Sequence, residues 1–347
     1  MPPEPPPAAL RLELDAAALA ANWRALNRLS GTAQAGAAVK ANAYGLGARR
    51  VGKALLEAGC RDFFVAHWSE AATLLDLINP MALAVLHGPV NAVDAAYARA
   101  TGVRPVINSL AQAQRWRDAG GGPCHLMVDT GINRLGLPLA DLADPLIQQL
   151  QVDVLMSHLA SADEFAPSNA VQQQRFAEVR QRVCHVRASL ANSAGIALGT
   201  AYHADLTRPG LSLYGGVPRA ELAAEIQQVA RPLAALMQVR NLLAGDGAGY
   251  NATFVAPRNM RVGVIALGYA DGYLRCWSGK GMVQWQGVDL PVIGRVSMDM
   301  TIVDLSLAPQ AQEGDWLEVP YHLPRAAALS GLSQYELLTL LGNRFAR

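Results

Sequence analysis

The chain has 347 residues, of which 51% are hydrophobic and 16% are charged, so it is long enough for two domains and can bury a large core. Its formal net charge of +1 creates no long-range field that would attract nucleic acid or an acidic membrane. No apolar run reaches the roughly 18–20 residues that a membrane helix needs. We therefore expect a small-molecule partner, with no nucleic acid and no membrane.

The chain starts with a proline-rich segment, MPPEPPPAAL, which lacks the basic and apolar regions of a signal peptide. We expect residues 1–9 to form a flexible tail. The four cysteines are scattered without a C-x-x-C pair, which argues against a zinc site and against a small disulfide framework. No metal is predicted, and a reducing cytoplasm is the expected location.

Residues 10–15, LRLELD, alternate apolar and polar side chains and predict a strand that joins a β domain. Short apolar runs then alternate with amphipathic helical stretches across residues 16–229. The runs are GAAVK (36–40), DFFVA (62–66), ALAVLH (82–87), VRPVI (103–107), CHLMV (124–128), VDVLMS (152–157), ASLANS (188–193) and GLSLYG (210–215). Eight buried strands separated by helices favour a parallel TIM barrel, with a doubly wound open sheet as the alternative.

Beyond residue 230 the pattern changes to alternating runs broken by Gly, Asp and Pro, which predicts a mainly β domain over residues 230–347. One short helical segment, SQYELLTLLGNRF, ends the chain. The predicted fold class is thus α/β: an N-terminal TIM (β/α)8 barrel followed by a C-terminal mainly-β domain.

The first buried run of the barrel region ends in VKANAYGLG (39–47). Lysine is rarely buried without a purpose, and the carboxyl ends of barrel strands carry catalytic residues. Desolvation there would lower the pKa of Lys40 and make its amine nucleophilic. The alternative is an ordinary surface lysine at the end of a strand.

The string VKANAYGLG closely resembles the pyridoxal-phosphate attachment site of alanine racemases. Eight further strings agree with that family in the same order: VDTGINRLG (128–136), MSHLASAD (156–163), ANSAG (191–195), TRPGLSLYG (207–215), GAGYNATF (247–254), LGYADGY (267–273), GRVSMDM (294–300) and SQYELL (333–338). The resemblance covers nearly the whole chain except the tail.

The resemblance implies a bound pyridoxal 5'-phosphate, attached to Lys40. The residues that would hold its phosphate are Tyr44, Ser193, the backbone at Gly210 and Leu211, and Tyr335. Without the resemblance, Ser193 would be interpreted as a helix cap and Tyr335 as a packed interface aromatic. Arg208 would face the pyridine nitrogen, where a permanent cation can only donate, and His158 would hold Arg208 in place.

The resemblance also implies a two-base reaction, because inverting a stereocentre removes a proton from one face and returns one to the other. Lys40 would serve D-alanine and Tyr250 would serve L-alanine. Arg134 would grip the substrate carboxylate with its planar fork, and the backbone N–H of Met298 would assist. The positions that line the family's substrate entrance are Asp163, Tyr269, Arg275 and Arg295. Tyr250 would reach the barrel of another subunit, so the resemblance implies a homodimer with shared active sites.

Four positions depart from the usual family pattern. Leu46 replaces a histidine, and Met127 replaces a lysine that is carbamylated in some members and steadies the carboxylate-gripping arginine. Asn251 stands where glycine is frequent, and Ser297 stands where some members have cysteine. These changes bear on substrate range and rate more than on the class of reaction.

Alternative functions are a racemase that also accepts serine or other amino acids, a decarboxylase on the same fold, and a non-catalytic pyridoxal-phosphate carrier. The carrier and the decarboxylase fit less well, since neither explains the pair of opposed bases. The sequence leaves open whether D-alanine formation serves peptidoglycan supply or alanine breakdown.

Overall fold

The protein is described here by a computed structural model, which covers residues 6–346. Two compact units form: one is Ala16–Gln227, and the other combines the chain up to Asp15 with the chain from Gln228 onward. Residues 1–5 of the expected tail lie outside the described residues. Residues 6–9 are exposed and belong to no helix or strand.

Strand β1 (Leu10–Leu14) belongs to the second unit. The strands of the first unit are β2 (Gln34–Ala35), β3 (Ala37–Ala38), β4 (Phe63–Val65), β5 (Leu83–Val85), β6 (Arg104–Ile107), β7 (Pro123–Asp129), β8 (Leu137–Pro138), β9 (Gln151–Met156), β10 (Arg187–Ser189) and β11 (Leu206–Thr207). They pair in parallel in the order β3-β4-β5-β6-β7-β9-β10, while β8 pairs at the side of β7 and β11 pairs with β2.

Backbone hydrogen bonds close these strands into a barrel. The N–H of Arg208 donates to the carbonyl of Ala191 at 2.8 Å on one side of β11, and the N–H of Gly36 donates to the carbonyl of Thr207 at 2.9 Å on the other. Because only Gly36 separates β2 from β3, the two segments serve as one barrel strand. The predicted TIM barrel is confirmed, and the open-sheet alternative is wrong.

Side chains from alternating strand positions fill the barrel. The cluster consists of Phe64, Ala84, Val106, Met127, Val154, Met156 and Leu206. Such filling is expected because successive side chains of a strand point to opposite faces, so every second residue enters the interior. The interior is therefore a packed core, and the chemistry is confined to the loops at its ends.

The helices of the first unit cover the outside of the strands. They are α1 (Ala16–Leu29), α2 (Lys40–Tyr44), α3 (Ala48–Ala58), α4 (Trp68–Ala72), α5 (Ala92–Thr101), α6 (Leu110–Asp118), α7 (Pro145–Gln148), α8 (Pro167–Arg180) and α9 (Ser193–Ala197). In α3 the buried residues Ala48, Val51, Gly52 and Leu55 follow the i, i+3, i+4, i+7 spacing of one apolar face. Helix α2 is the exception, because it is left-handed.

The expected strand at residues 210–215 is wrong. Leu211–Tyr214 form a 3-10 helix, and the eighth barrel strand is β11, four residues earlier. All four residues of the 3-10 helix are buried. A short buried apolar run has the same pattern in a strand and in a helical turn, so hydrophobicity alone does not distinguish them.

The described part of the second unit is a closed antiparallel sheet with two α-helices. Its further elements are β12 (Ala230–Leu242), β13 (Gly247–Ala248), β14 (Phe254–Val255), β15 (Met260–Ile265), β16 (Met282–Trp285), β17 (Val288–Ile293), β18 (Thr301–Asp304), β19 (Trp316–Glu318), α10 (Leu323–Ser330) and α11 (Gln334–Thr339). The sheet order is β1-β12-β15-β18-β17-β16-β19, and β19 pairs back onto β12. Helix α11 lies in the predicted closing helix, whereas α10 was not expected. None of the described helices is long and apolar enough to span a membrane.

Candidate active site

Lys40 lies just beyond the first barrel strand, at the start of α2. The four residues after it are not glycine and yet have positive φ: Ala41 (52°), Asn42 (52°), Ala43 (54°) and Tyr44 (53°). A left-handed turn of L-residues costs roughly 1–2 kcal/mol per residue. Strain of this kind persists only where the surrounding structure enforces it, and it concentrates at functional sites.

The surroundings of Lys40 favour its neutral amine. Burial lowers its pKa most, and the positive charges of Arg134 and Arg208 lower it further, while the carboxylate of Glu70 raises it. A lysine with a lowered pKa is more often deprotonated near neutral pH and can act as a nucleophile or a base.

Tyr44, Ser193 and Gly210 meet beside the left-handed turn. The Oγ of Ser193 accepts the N–H groups of Gly210 at 3.0 Å and of Ser212 at 3.2 Å. With both lone pairs engaged, the hydroxyl proton of Ser193 is left to donate to another acceptor. A Cβ on Gly210 would lie 2.5 Å from the Tyr44 hydroxyl oxygen, so glycine is what allows the two to approach. The Ser212 hydroxyl is fully buried and has no hydrogen-bond partner within residues 6–346.

Arg208 follows β11 and is buried, with 6% of its surface exposed. Its guanidinium donates to the Ser189 Oγ at 2.5 Å and to the Ser157 carbonyl at 2.6 Å. Burial lowers its pKa to about 10, so it remains a cation at neutral pH. Both of these acceptors are neutral, which leaves the buried positive charge suited to an anionic or electron-rich ligand.

His158 follows β9 and lies close to the same cations. Burial, followed by the charges of Arg208, Arg134 and Lys40, lowers its pKa to about 3. The imidazole is therefore neutral at physiological pH. Across the part of the chain that is described, the hydrogen bonds of Arg208 go to Ser189 and Ser157 rather than to His158.

Arg134 is exposed on the loop after β7. A single oxygen of Asp129, Oδ1, accepts the N–H groups of Gly131 (2.8 Å), Ile132 (3.0 Å) and Asn133 (3.2 Å) and shapes this loop. Met127, two residues before Asp129, is buried in the barrel interior. A thioether has no charge to offer an arginine, so Met127 cannot do what a carbamylated lysine would do.

The remaining candidates of the first unit have simpler surroundings. Leu211 begins the 3-10 helix and is buried, and Leu46 is fully buried at the end of the left-handed segment. Asp163 is exposed on a turn that the N–H of Glu164 closes on the Ser161 carbonyl at 3.1 Å.

Tyr250 belongs to the second unit, in the loop of the β13–β14 hairpin, and 66% of its surface is exposed. Gly249 before it has a φ of 72°, and Asn251 after it has a φ of 63°. Asparagine tolerates this left-handed conformation better than most residues do, which explains why it can stand where glycine is frequent.

Met298 is exposed in the loop after β17, and its carbonyl accepts the N–H of Ala270 at 3.0 Å. The neighbouring Ser297 carbonyl accepts the N–H of Tyr269, also at 3.0 Å.

The guanidinium of Arg275 lies 5.2 Å from the Tyr269 ring centre, and the two residues line a cavity of about 620 Å³ with Leu274, Cys276 and Leu332. Arg295 lines a second cavity of about 580 Å³, and Tyr335 lies on α11 with 43% of its surface exposed.

Two family models cover almost all of the chain. The alanine racemase N-terminal domain matches residues 14–218, and the alanine racemase C-terminal domain matches residues 229–347. The chain belongs to the alanine racemase family.

Individual relatives match this chain over nearly their full length. The alanine racemase of Acidiphilium cryptum is 41% identical over 97% of both chains, and the catabolic alanine racemase of Rhizobium johnstonii is 41% identical over 97% of this chain and 93% of its own. The crystal structure of alanine racemase from Bartonella henselae with covalently bound pyridoxal phosphate has a TM-score of 0.89 and 34% identity, covering 98% of this chain and 99% of its own.

Some residues that support the candidates were not predicted from the sequence. Ser157 and Ser189 accept from Arg208, and Glu70 contacts the turn that carries Lys40. His87 lies against His67 with ring centres 4.4 Å apart, and its pKa is lowered by burial, by His67 and by Lys40. Their sequence positions could have pointed to them. All except Ser189 follow the carboxyl end of a barrel strand or lie one turn beyond it.

Proposed function

We propose that this chain interconverts L-alanine and D-alanine, with pyridoxal 5'-phosphate attached to Lys40 and with Lys40 and Tyr250 as the two bases. The observation that carries the proposal is the amine of Lys40, held on a strained left-handed turn, with a pKa lowered by burial and by two arginines. Family membership supports the same activity.

The residues of the barrel unit fit the proposed cofactor. Phosphate needs hydrogen-bond donors, and the Ser193 hydroxyl, the Tyr44 hydroxyl and the backbone N–H of Leu211 are assigned to it, with Tyr335 as a further donor. The N–H of Gly210 donates to Ser193, so Gly210 contributes the close approach of its backbone rather than a free donor. The guanidinium groups of Arg134 and Arg208 suit an anionic ligand, and both lower the pKa of Lys40 and of His158. Pyridoxal phosphate, when bound, supplies an electron-withdrawing ring that acidifies the Cα proton of an attached amino acid.

Arg208 is assigned to the pyridine nitrogen. With a pKa of about 10 it stays protonated at physiological pH, so it can donate a hydrogen bond there but cannot accept one. Arg208 would thereby disfavour protonation of that nitrogen and would make bound pyridoxal phosphate a weaker electron sink. Racemisation tolerates this weakening, while transamination and similar side reactions are suppressed. The neutral His158 is assigned a place beside Arg208, whose own hydrogen bonds go to Ser157 and Ser189.

The two bases divide the proton transfers. Lys40 Nζ removes the Cα proton of D-alanine or returns one to form it, and the Tyr250 hydroxyl does the same for L-alanine on the opposite face. Arg134 holds the substrate carboxylate, and the Met298 N–H donates to it. Met298 donates no backbone hydrogen bond that is seen in residues 6–346, so its N–H is available. Asp163, Tyr269, Arg275 and Arg295 are assigned to the substrate entrance.

The active enzyme is proposed to be a homodimer in which Tyr250 of one subunit serves the barrel of the other. Support comes from exposed apolar side chains of the second unit, namely Tyr250, Val255, Met298 and Met300, whose exposure ranges from 44% to 66%. Large exposed apolar residues in one region mark protein contacts. The described cysteines are all free, which suits the proposed cytoplasmic location.

The function is tested by measuring D-alanine formed from L-alanine by the purified full chain, with and without added pyridoxal phosphate. We expect turnover that depends on the cofactor, and no turnover with Lys40→Ala, whose visible cofactor absorbance should also disappear. L-serine is the comparison substrate for the broader racemase. A protein that binds the cofactor but racemises neither amino acid would contradict the proposal.

A further inference from the structure

Glu70 connects two loops at the carboxyl end of the barrel. Its Oε2 accepts the N–H groups of Ala66 at 2.8 Å and His67 at 3.1 Å, immediately after β4. Its Oε1 accepts the N–H of Ala41 at 2.5 Å. One carboxylate therefore joins the loop after β4 to the peptide that follows Lys40.

The contact with Ala41 fixes the near end of the left-handed turn. The far end is tied separately, because the Asn42 Oδ1 accepts the N–H of Ala48 at 2.8 Å. Within the turn, Gly45 donates to the carbonyl of Ala41 at 2.9 Å. The turn costs free energy at each of its non-glycine residues, so it needs hydrogen bonds from outside to hold it. Glu70 supplies the one next to Lys40.

Glu70 also supplies a negative charge near Lys40, where the other charges that shift the pKa of Lys40 are those of Arg134 and Arg208. The charged and titratable groups that act on Lys40 or respond to it are Arg134, Arg208, His87, His158 and Glu70. Of those that shift the pKa of Lys40, Glu70 alone raises it, whereas burial, Arg134 and Arg208 lower it. Hydrogen bonds from N–H groups to a charged carboxylate are stronger than neutral ones, so the contact combines geometry and charge.

We propose that Glu70 is a positioning residue for Lys40: its carboxylate holds the peptide after Lys40 in the left-handed turn and balances the positive charge around the amine. The competing explanation is an ordinary helix cap. Glu70 is the third residue of α4 and accepts the N–H of the N-cap residue His67, as in a capping box. A cap alone would stabilise α4 and leave Lys40 unaffected.

The first test is amide hydrogen exchange of the full chain loaded with pyridoxal phosphate, followed by mass spectrometry of the peptide containing residues 40–47. Glu70→Gln keeps the size but places a donor where an acceptor is needed. Glu70→Asp keeps the charge but is one methylene too short to hold both loops. Both variants should accelerate exchange in this peptide about tenfold, since a charge-assisted hydrogen bond is lost.

The matched control is Asp144→Asn. Asp144 also accepts a backbone N–H at the start of a helix, that of Leu146 at 2.8 Å, but it is the N-cap residue of α7 and has no role in the site. It should change exchange in α7 and leave residues 40–47 as they are. Unchanged exchange at residues 40–47 in both Glu70 variants, or acceleration spread evenly over the chain, would overturn the proposal.

The second test is the pH dependence of kcat for D-alanine, because Lys40 carries the cofactor in the free enzyme and its amine can act as a base only once substrate is bound. This test rests on the proposed function, which takes Lys40 as the base. Removing the charge of Glu70 lowers the pKa of Lys40, so Glu70→Gln should move the limb assigned to Lys40 to lower pH, while Glu70→Asp should not. In both variants kcat should fall about 10- to 100-fold with little change in KM, because the base is misplaced. An unshifted profile in Glu70→Gln would refute the charge balance. Failure of the racemase assay itself would leave the exchange test intact.

Discussion

Tyr250 is assigned a proton-transfer role while it lies exposed on a hairpin loop. Tyr250→Phe removes only the hydroxyl, so binding surfaces should survive while proton transfer on the L-alanine face is lost. We expect racemisation to fall roughly 10²–10⁴-fold, or about 3–5 kcal/mol of barrier. The measurement is D-alanine formation from L-alanine at saturating substrate.

The same variant separates the two bases. Lys40 remains, so exchange of the Cα proton of D-alanine with deuterated solvent should continue when racemisation has stopped. Tyr97→Phe is the control, since Tyr97 lies on α5 against Trp68 and outside the site. Near-normal racemisation by Tyr250→Phe would exclude this tyrosine as a base.

At the scale of single residues, the sequence was informative about side chains that carry chemistry and silent about those that support them. Lys40 stands out because a buried lysine at a strand end is unusual, whereas Arg208 was identified through the family resemblance. Glu70 does not stand out, because a glutamate three residues into a helix is a common capping residue. Its hydrogen bond to Ala41 depends on how two separate loops are placed, and no local pattern encodes that placement.

Among the structural elements, the close approach of the 3-10 helix to the left-handed turn is sensitive to a single methyl group. In Gly210→Ala the new Cβ would lie 2.5 Å from the Tyr44 hydroxyl oxygen and 3.3 Å from the Ala38 Cβ. Tyr44 must shift, and it is a proposed phosphate ligand. We expect the Kd for pyridoxal phosphate to rise roughly 5- to 150-fold, as overpacking by 1–3 kcal/mol implies.

The control for Gly210→Ala is Gly52→Ala in helix α3. A Cβ there would meet Ile78 and Leu77 at 3.5 Å, an ordinary contact, and alanine favours a helix. Cofactor binding, followed by titration of the absorbance, should be unchanged in the control. Equal affinities in the two variants would show that the packing of Tyr44 against Gly210 does not shape the site.

The sequence predicted helices and strands well where the periodic spacing of hydrophobic residues was clear. Seven of the apolar runs overlap barrel strands, and the alternation beyond residue 230 corresponds to the antiparallel sheet. The run at 210–215 failed because four buried residues fit a strand and a 3-10 helix equally well. The left-handed conformation of α2 could not be predicted either, because its residues have no shared intrinsic preference for positive φ. They are Ala41, Asn42, Ala43 and Tyr44.

At the scale of the whole molecule, a shared active site makes a prediction that a single-chain site does not. Lys40→Ala and Tyr250→Phe should each be inactive alone, but a mixed dimer would contain one site with both native residues. Random re-pairing after co-refolding should restore about a quarter of the native sites, because half of the dimers are mixed and each has one intact site. The measurement is racemase activity of the mixture, with each variant refolded alone as the control. No recovery, despite mixed dimers detected by mass, would contradict sharing.

Strand β1 pairs with β12, where Leu10 lies opposite Ala234. The backbone of Arg11 also forms an isolated β-bridge with Ala346, near the other end of the chain. The barrel is thus an insertion within a sheet whose parts are encoded on both sides of it. During synthesis, β1 leaves the ribosome before the barrel does. It cannot pair with β12 until the barrel has been translated. Domains fold as units while synthesis proceeds. A nascent chain stalled before β12 should therefore carry a protease-resistant barrel and a protease-sensitive leader.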